Sequence, residues 1–191
     1  MSNQLEYARR LYESVLDWYK SADSKAQVVL AIDTGFLAFL TSTIFSEPDK
    51  LRVILAEFNW VTGLSLALML LSLIVSIGSS IACIWSRIYS TNEVKRIIKK
   101  AESQCQNSDI YPSEKIVWFF QFIEGLDQRK FQVTLESIEE QFELKVLAEE
   151  IYILSHNVRK KHLAVNIGFG FAAFSLILFV VAAVSYLFSV A

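Results

Sequence analysis

Asp33 is the side chain with the most chemistry to offer, because it stands inside an apolar run, residues 27–46, where a carboxyl group is costly. A group in that position either lines and gates a path or has a quieter role near the interface, protonated or hydrogen-bonded to a Ser or Thr of a neighbouring helix. Lys25 precedes it by eight residues, a spacing that puts the two on one helix face about 12 Å apart. Lys25 also reads as an interfacial lysine snorkelling to the headgroups. Arg129 and Lys130 are an adjacent pair of cations suited to a phosphate, although isolated basic pairs are more often surface charge. Trp118, Phe119 and Phe120 belong to an aromatic run whose faces stack a nucleobase or, more commonly, pack beneath a helix.

Other reactive constellations are missing from the sequence. There is no phosphate loop, no G-x-S-x-G elbow, no H-E-x-x-H and no C-x-x-C. His156 and His162 are six apart and do not share a helix face. Glu136, Glu139, Glu140 and Glu143 lack the E-x-x-H step of a di-iron bundle and read as a solvated face. Cys83 and Cys105 are poorly placed to pair. The chain is expected to be neither an enzyme nor a carrier of a cofactor or metal. The net charge of −2 argues neither for nor against nucleic acid, but no polybasic tract is long enough to suggest a duplex-binding surface, so no nucleic-acid partner is expected.

The elements that must position these residues are mostly apolar helices. Three runs, 27–46, 59–86 and 163–190, each reach the roughly 20 residues needed to cross a bilayer. Of the 18 Lys and Arg, 16 lie before the first run or between the second and third; Lys50 and Arg52 alone lie in 47–58. Basic residues collect on the cytoplasmic side. The expected organisation is therefore a cytoplasmic amphipathic helix at 1–26, a first transmembrane helix at 27–46 and an external loop at 47–58. A second transmembrane helix at 59–86, a cytoplasmic helical sensor region at 87–162 and a third transmembrane helix at 163–190 follow. That order leaves the N-terminus in the cytoplasm and the C-terminus outside.

No strand ladder is visible, so the fold class is all-α. Leu5, Ala8, Leu11, Tyr12, Val15, Trp18, Tyr19 and Ala22 recur at helical spacing, and their helix should run straight into the first span. Val94, Ile97, Ile98 and Ala101 form a second stripe ending near Ser103. Residues 104–115 read as a loop around Pro112, and 116–123 as a short buried helix or extended packing segment. From about Asp127 the spacing predicts one long helix, residues 128–188, with an irregular step near Lys145. Gly168 and Gly170 with Ala172, and Gly78 with Ala82, suit close helix contacts within spans.

This order of elements resembles the Pycsar transmembrane effectors. The resemblance rests on Ala22-Asp23-Ser24-Lys25-Ala26 leading into Val28-Val29-Leu30-Ala31-Ile32-Asp33, and on Val117-Trp118-Phe119-Phe120 before a long helix with Leu147-Ala148 and Ile153-Leu154-Ser155. Arg159-Lys160-Lys161 at the start of a final span completes it. What the resemblance implies is an antiphage effector of the bacterial inner membrane. A partner cyclase makes a cyclic pyrimidine nucleotide, cCMP or cUMP, and the oligomeric effector then impairs the membrane, ending in abortive infection. On that reading Lys25, Arg87, Arg129 and Lys130 lie near the phosphate, Trp118, Phe119 and Phe120 near the base, and Asp33 gates the output. The residues alone leave two alternatives open: a structural or scaffold membrane subunit, and a small oligomeric ion channel with Asp33 on its path.

Overall fold

The computed structural model describes residues 3–46, 58–85, 91–104 and 120–190. Among these there are six helices and no strand: α1 Asn3–Ser46, α2 Trp60–Ile84, α3 Thr91–Gln104, α4 Phe120–Ile123, α5 Gln128–Glu136 and α6 Glu140–Val190. The chain divides into two compact units, one built from Met1–Tyr19 with Ser86–Val158, the other from Lys20–Trp85 with Arg159–Ala191. The 44-residue α1 and the 51-residue α6 each contribute to both.

Three of the helices, α1, α2 and α6, are long and apolar enough to cross a membrane. Their burial pattern suits lipid. Leu64, Leu71, Ile74, Phe169, Ile177 and Leu187 are exposed, whereas Ser65, Ser72, Ser76, Ser80, Ala172 and Ser175 are buried. In lipid no hydrophobic force drives helices together, so small and hydroxyl side chains take the contact faces and large apolar ones meet the acyl chains. The protein is an integral membrane protein with an all-helical fold.

The buried residues follow a seven-residue repeat. On α1, Leu5, Ala8, Tyr12, Val15, Tyr19, Ala22, Ala26, Val29 and Asp33 alternate three- and four-residue steps, each buried or half-buried. On α6, Leu147, Ile151, Leu154, Val158, Lys161, Val165, Gly168, Ala172 and Ser175 do the same. This 3.5-residue period keeps one seam turned toward a partner helix, as in a left-handed coiled coil. The composition of the seam changes along each helix while its phase does not.

Within the first unit, Leu5, Ala8 and Tyr12 of α1 pack with Leu144, Leu147 and Ile151 of α6. An ion pair between Arg9 and Glu143, 2.5 Å, closes the rim. Val94, Ile97 and Ile98 of α3 pack on Phe122 and Leu126, and Phe122 is fully buried. Val94, Ile97 and Ile98 of the stripe expected on α3 therefore form its packing face, the side chain of Ala101 lying outside the described residues, and the end of segment 116–123 is a short helix. The remainder of that segment, and most of the expected loops at 47–58 and 104–115, lie outside the described residues.

The single helix expected over 128–188 is corrected: α5 ends at Glu136, and α6 begins at Glu140. The Ser137 hydroxyl donates to the Thr134 carbonyl at 2.9 Å, and the Ser137 amide reaches Val133 and Thr134 carbonyls at 3.2 Å. These contacts satisfy the last carbonyls of α5 and end it. Leu135 and Ile138, which made the helical spacing look continuous, are exposed. Lys145, where an irregular step was expected, lies well inside α6.

Candidate functional site

The second unit is held by a column of polar contacts that begins at Asn59 and runs along α2 toward Cys83. Asn59 caps α2 by accepting from the Thr62 amide at 2.8 Å. The Thr62 hydroxyl lies 3.0 Å from Ser185 Oγ of α6, and Phe58 meets Tyr186 edge-on. Phe36 of α1 meets Phe179 of α6 in the same geometry, centroids 5.3 Å apart. These contacts fix the three apolar helices at one end.

Midway lies Asp33, 1% exposed. Ser76 of α2 donates to its Oδ2 at 2.5 Å, and the same Ser76 hydroxyl lies 2.8 Å from the Gly168 carbonyl of α6. One side chain from each of two helices and one backbone group from the third thus meet at a single point. The contact needs Gly168: a Cβ there would stand 3.0 Å from Ser80 Oγ and 3.3 Å from the Ser76 carbonyl. The expected small-residue contact therefore holds for Gly168 and the buried Ala172, whereas Gly170 and Gly78 face open space. Ser80, one turn from Ser76, is buried with no hydrogen-bond partner among the described residues.

Toward the other end, Ala22, Ala26, Val29, Cys83, Val165 and Ala172 form a tight core of mostly small residues. Cys83 Sγ lies 3.7 Å from the Ala22 carbonyl. Above them Lys161 Nζ donates to Asp23 Oδ1 at 2.5 Å, with side chains 11% and 28% exposed. This pair joins α1 to α6. Sequence reading missed it and singled out Lys25 from the same segment. The signal was in the repeat: Ala22 and Ala26 sit on the α1 seam with Asp23 beside them, and Lys161 occupies a seam position of α6 where an apolar residue is usual.

Lys25 is exposed, whereas Asp33 is buried. The shared face expected for them is corrected: eight residues leave them about 80° apart on a 3.6-residue helix, and the seam passes through Ala22, Ala26 and Val29 instead. Arg129 is exposed and Lys130 half-buried on the first turn of α5. Asp127 caps that turn, accepting from the Lys130 amide at 3.0 Å, so a carboxylate already occupies the end a phosphate would favour. Arg87, Trp118 and Phe119 lie outside the described residues, as does the side chain of Phe120, whose backbone begins α4. A shallow groove along α1, lined by Thr34, Leu37, Ala38, Thr41, Ser42 and Phe45, carries no charge for a phosphate.

Most of both units, and the whole of the Asp33–Ser76–Gly168 junction and the Asp23–Lys161 pair, fall within residues 7–188, which match the family described as Pycsar effector protein domain, PycTM. The chain belongs to the Pycsar effector family. The match runs through nearly the whole of the given sequence, so the family's effector role is carried by this chain. No curated protein and no solved structure matches the chain. The column described above is accordingly a feature of this Pycsar effector read from its own residues.

Proposed function

We propose that this protein is an antiphage defence effector of the bacterial inner membrane. In this reading a partner cyclase makes cCMP or cUMP on infection, the first unit responds to the nucleotide, and the second unit impairs the membrane, leading to abortive infection. The observation that carries it is the family match along 7–188. The seven-residue repeat supports it, because α1 and α6 each supply buried residues to both units in unbroken phase. A ligand shifts such a system only if it binds the active arrangement better than the resting one.

Residues 87–162 and the N-terminus are cytoplasmic in this reading, the C-terminus periplasmic, and the effector a homo-oligomer. Arg87, Arg129 and Lys130 of the first unit serve the phosphate, and Trp118, Phe119 and Phe120 the base. Asp33 acts as a gate through the hydrogen bond to Ser76: activation loosens the point where α1, α2 and α6 meet.

The test is membrane potential in cells expressing the protein, with cCMP or cUMP supplied. Depolarisation with at least one of them is the expected result. No change with either, at confirmed expression, sinks the proposal.

A further inference from the structure

The helix α3 is amphipathic in an unusual sense, because its apolar face is already covered. Val94, Ile97 and Ile98 pack on Phe122 and Leu126. At about 100° per residue, Lys95, Arg96 and Lys99 point to the opposite side of the helix. All three are exposed, and none has an ion pair or hydrogen bond among the described residues. Helices that lie on membranes ordinarily bury their apolar face in the acyl boundary. Here that face is taken, so any membrane contact of α3 must be made by charge.

The sequence keeps α3 near a bilayer. Trp85 closes α2, a helix long and apolar enough to span, and is exposed there as interfacial aromatics are. Thr91 starts α3 six residues later, which bounds the separation of the two Cα atoms at about 21 Å. Basic residues clustered just cytoplasmic of a span attract anionic headgroups, an effect confined to about a Debye length.

We infer that the Lys95–Arg96–Lys99 face of α3 binds the phosphodiester headgroups of anionic phospholipids in the cytoplasmic leaflet. A cyclic nucleotide offers the same phosphodiester chemistry. The geometry favours the lipid: three exposed cations on one side of a helix, with no wall or aromatic face beside them among the described residues, match a plane of charges better than one enclosed small molecule. The inference rests on the cytoplasmic placement of 87–162 proposed above, but not on any response to nucleotide.

The full-length protein is reconstituted in vesicles of phosphatidylcholine alone or with about one-quarter phosphatidylglycerol. A fluorophore is placed at Asn92→Cys in a Cys83→Ser, Cys105→Ser background, and a nitroxide quencher is carried on the lipid headgroup. Quenching is expected to rise about threefold with the anionic lipid. The rise should vanish at about 0.5 M salt, where the screening length falls to about 4 Å. It should also vanish in Lys95→Gln/Arg96→Gln/Lys99→Gln, whose exposed positions leave folding intact, checked by unchanged thermal unfolding. Equal quenching in the two vesicle types at low salt overturns the assignment, as does an anionic-lipid effect that survives in the triple variant. Loss of quenching on adding millimolar cCMP or cUMP at constant salt overturns it too, in favour of the free nucleotide. Because depolarisation of cells is not read here, the lipid assignment and the effector reading fail independently.

Discussion

Ser76 has one hydroxyl hydrogen and two oxygens within reach, Oδ2 of Asp33 at 2.5 Å and the Gly168 carbonyl at 2.8 Å. A carboxylate and a carbonyl both accept, so one hydrogen cannot serve both at once. Asparagine at position 33 brings hydrogens of its own and frees Ser76 for Gly168. Asp33→Asn is therefore expected to unfold in detergent within about 0.5 kcal/mol of the wild type, whereas Asp33→Ala should lose about 0.6–1.7 kcal/mol, the range of interhelical hydrogen bonds in membranes. The glycines give a paired contrast. Gly168→Ala forces the α2–α6 contact apart and should cost about 1 kcal/mol or more even after its gain in helix propensity. Gly170→Ala meets nothing within 4 Å and should be neutral or stabilising by up to about 1 kcal/mol, read in the same unfolding assay.

Among the elements, the three apolar helices were legible because length and composition alone decide whether a helix can span. The packing stripe of α3 was legible because Val94, Ile97 and Ile98 recur at helical steps. The break after α5 was not, because Leu135 and Ile138 carry the apolar spacing on, while the hydroxyl that ends the helix acts on its own backbone. Nor was the Asp23–Lys161 pair, whose partners are 138 residues apart and brought together only by the register of α1 against α6. That pair lies between the regimes of exposed and buried ion pairs, worth about 0.2–1 kcal/mol and, when one partner is lost, about 3–5 kcal/mol. With exposures of 28% and 11%, Asp23→Asn or Lys161→Met should each cost about 2 kcal/mol. A double-mutant cycle in thermal unfolding checks it: additive losses would show that the two side chains do not interact.

At the scale of the molecule, α1 is one helix whose buried seam keeps a single phase through its contributions to both units. One alanine inserted between Tyr19 and Lys20 puts the buried seam of α1 beyond it about 100° out of phase with the seam before it. The protein should still be made and inserted, but nucleotide-dependent depolarisation should be lost; a full response from the insertion variant would show that phase carries no signal. The junction at Asp33 also sets an order of events during synthesis. Its hydroxyl partner Ser76 lies 43 residues further along the chain, and the Gly168 carbonyl that shares this hydroxyl lies 92 residues beyond Ser76. At about 5–20 residues per second, the first of these arrives about 2–9 s after Asp33 and the second several seconds later. For that interval the nascent chain holds a carboxyl group in its first apolar helix with nothing of its own to bond it. Delivery of this effector to the membrane is thus a matter of timing, and a ribosome that stalls between α1 and α2 leaves behind a span that has not yet met the group that makes it comfortable in lipid.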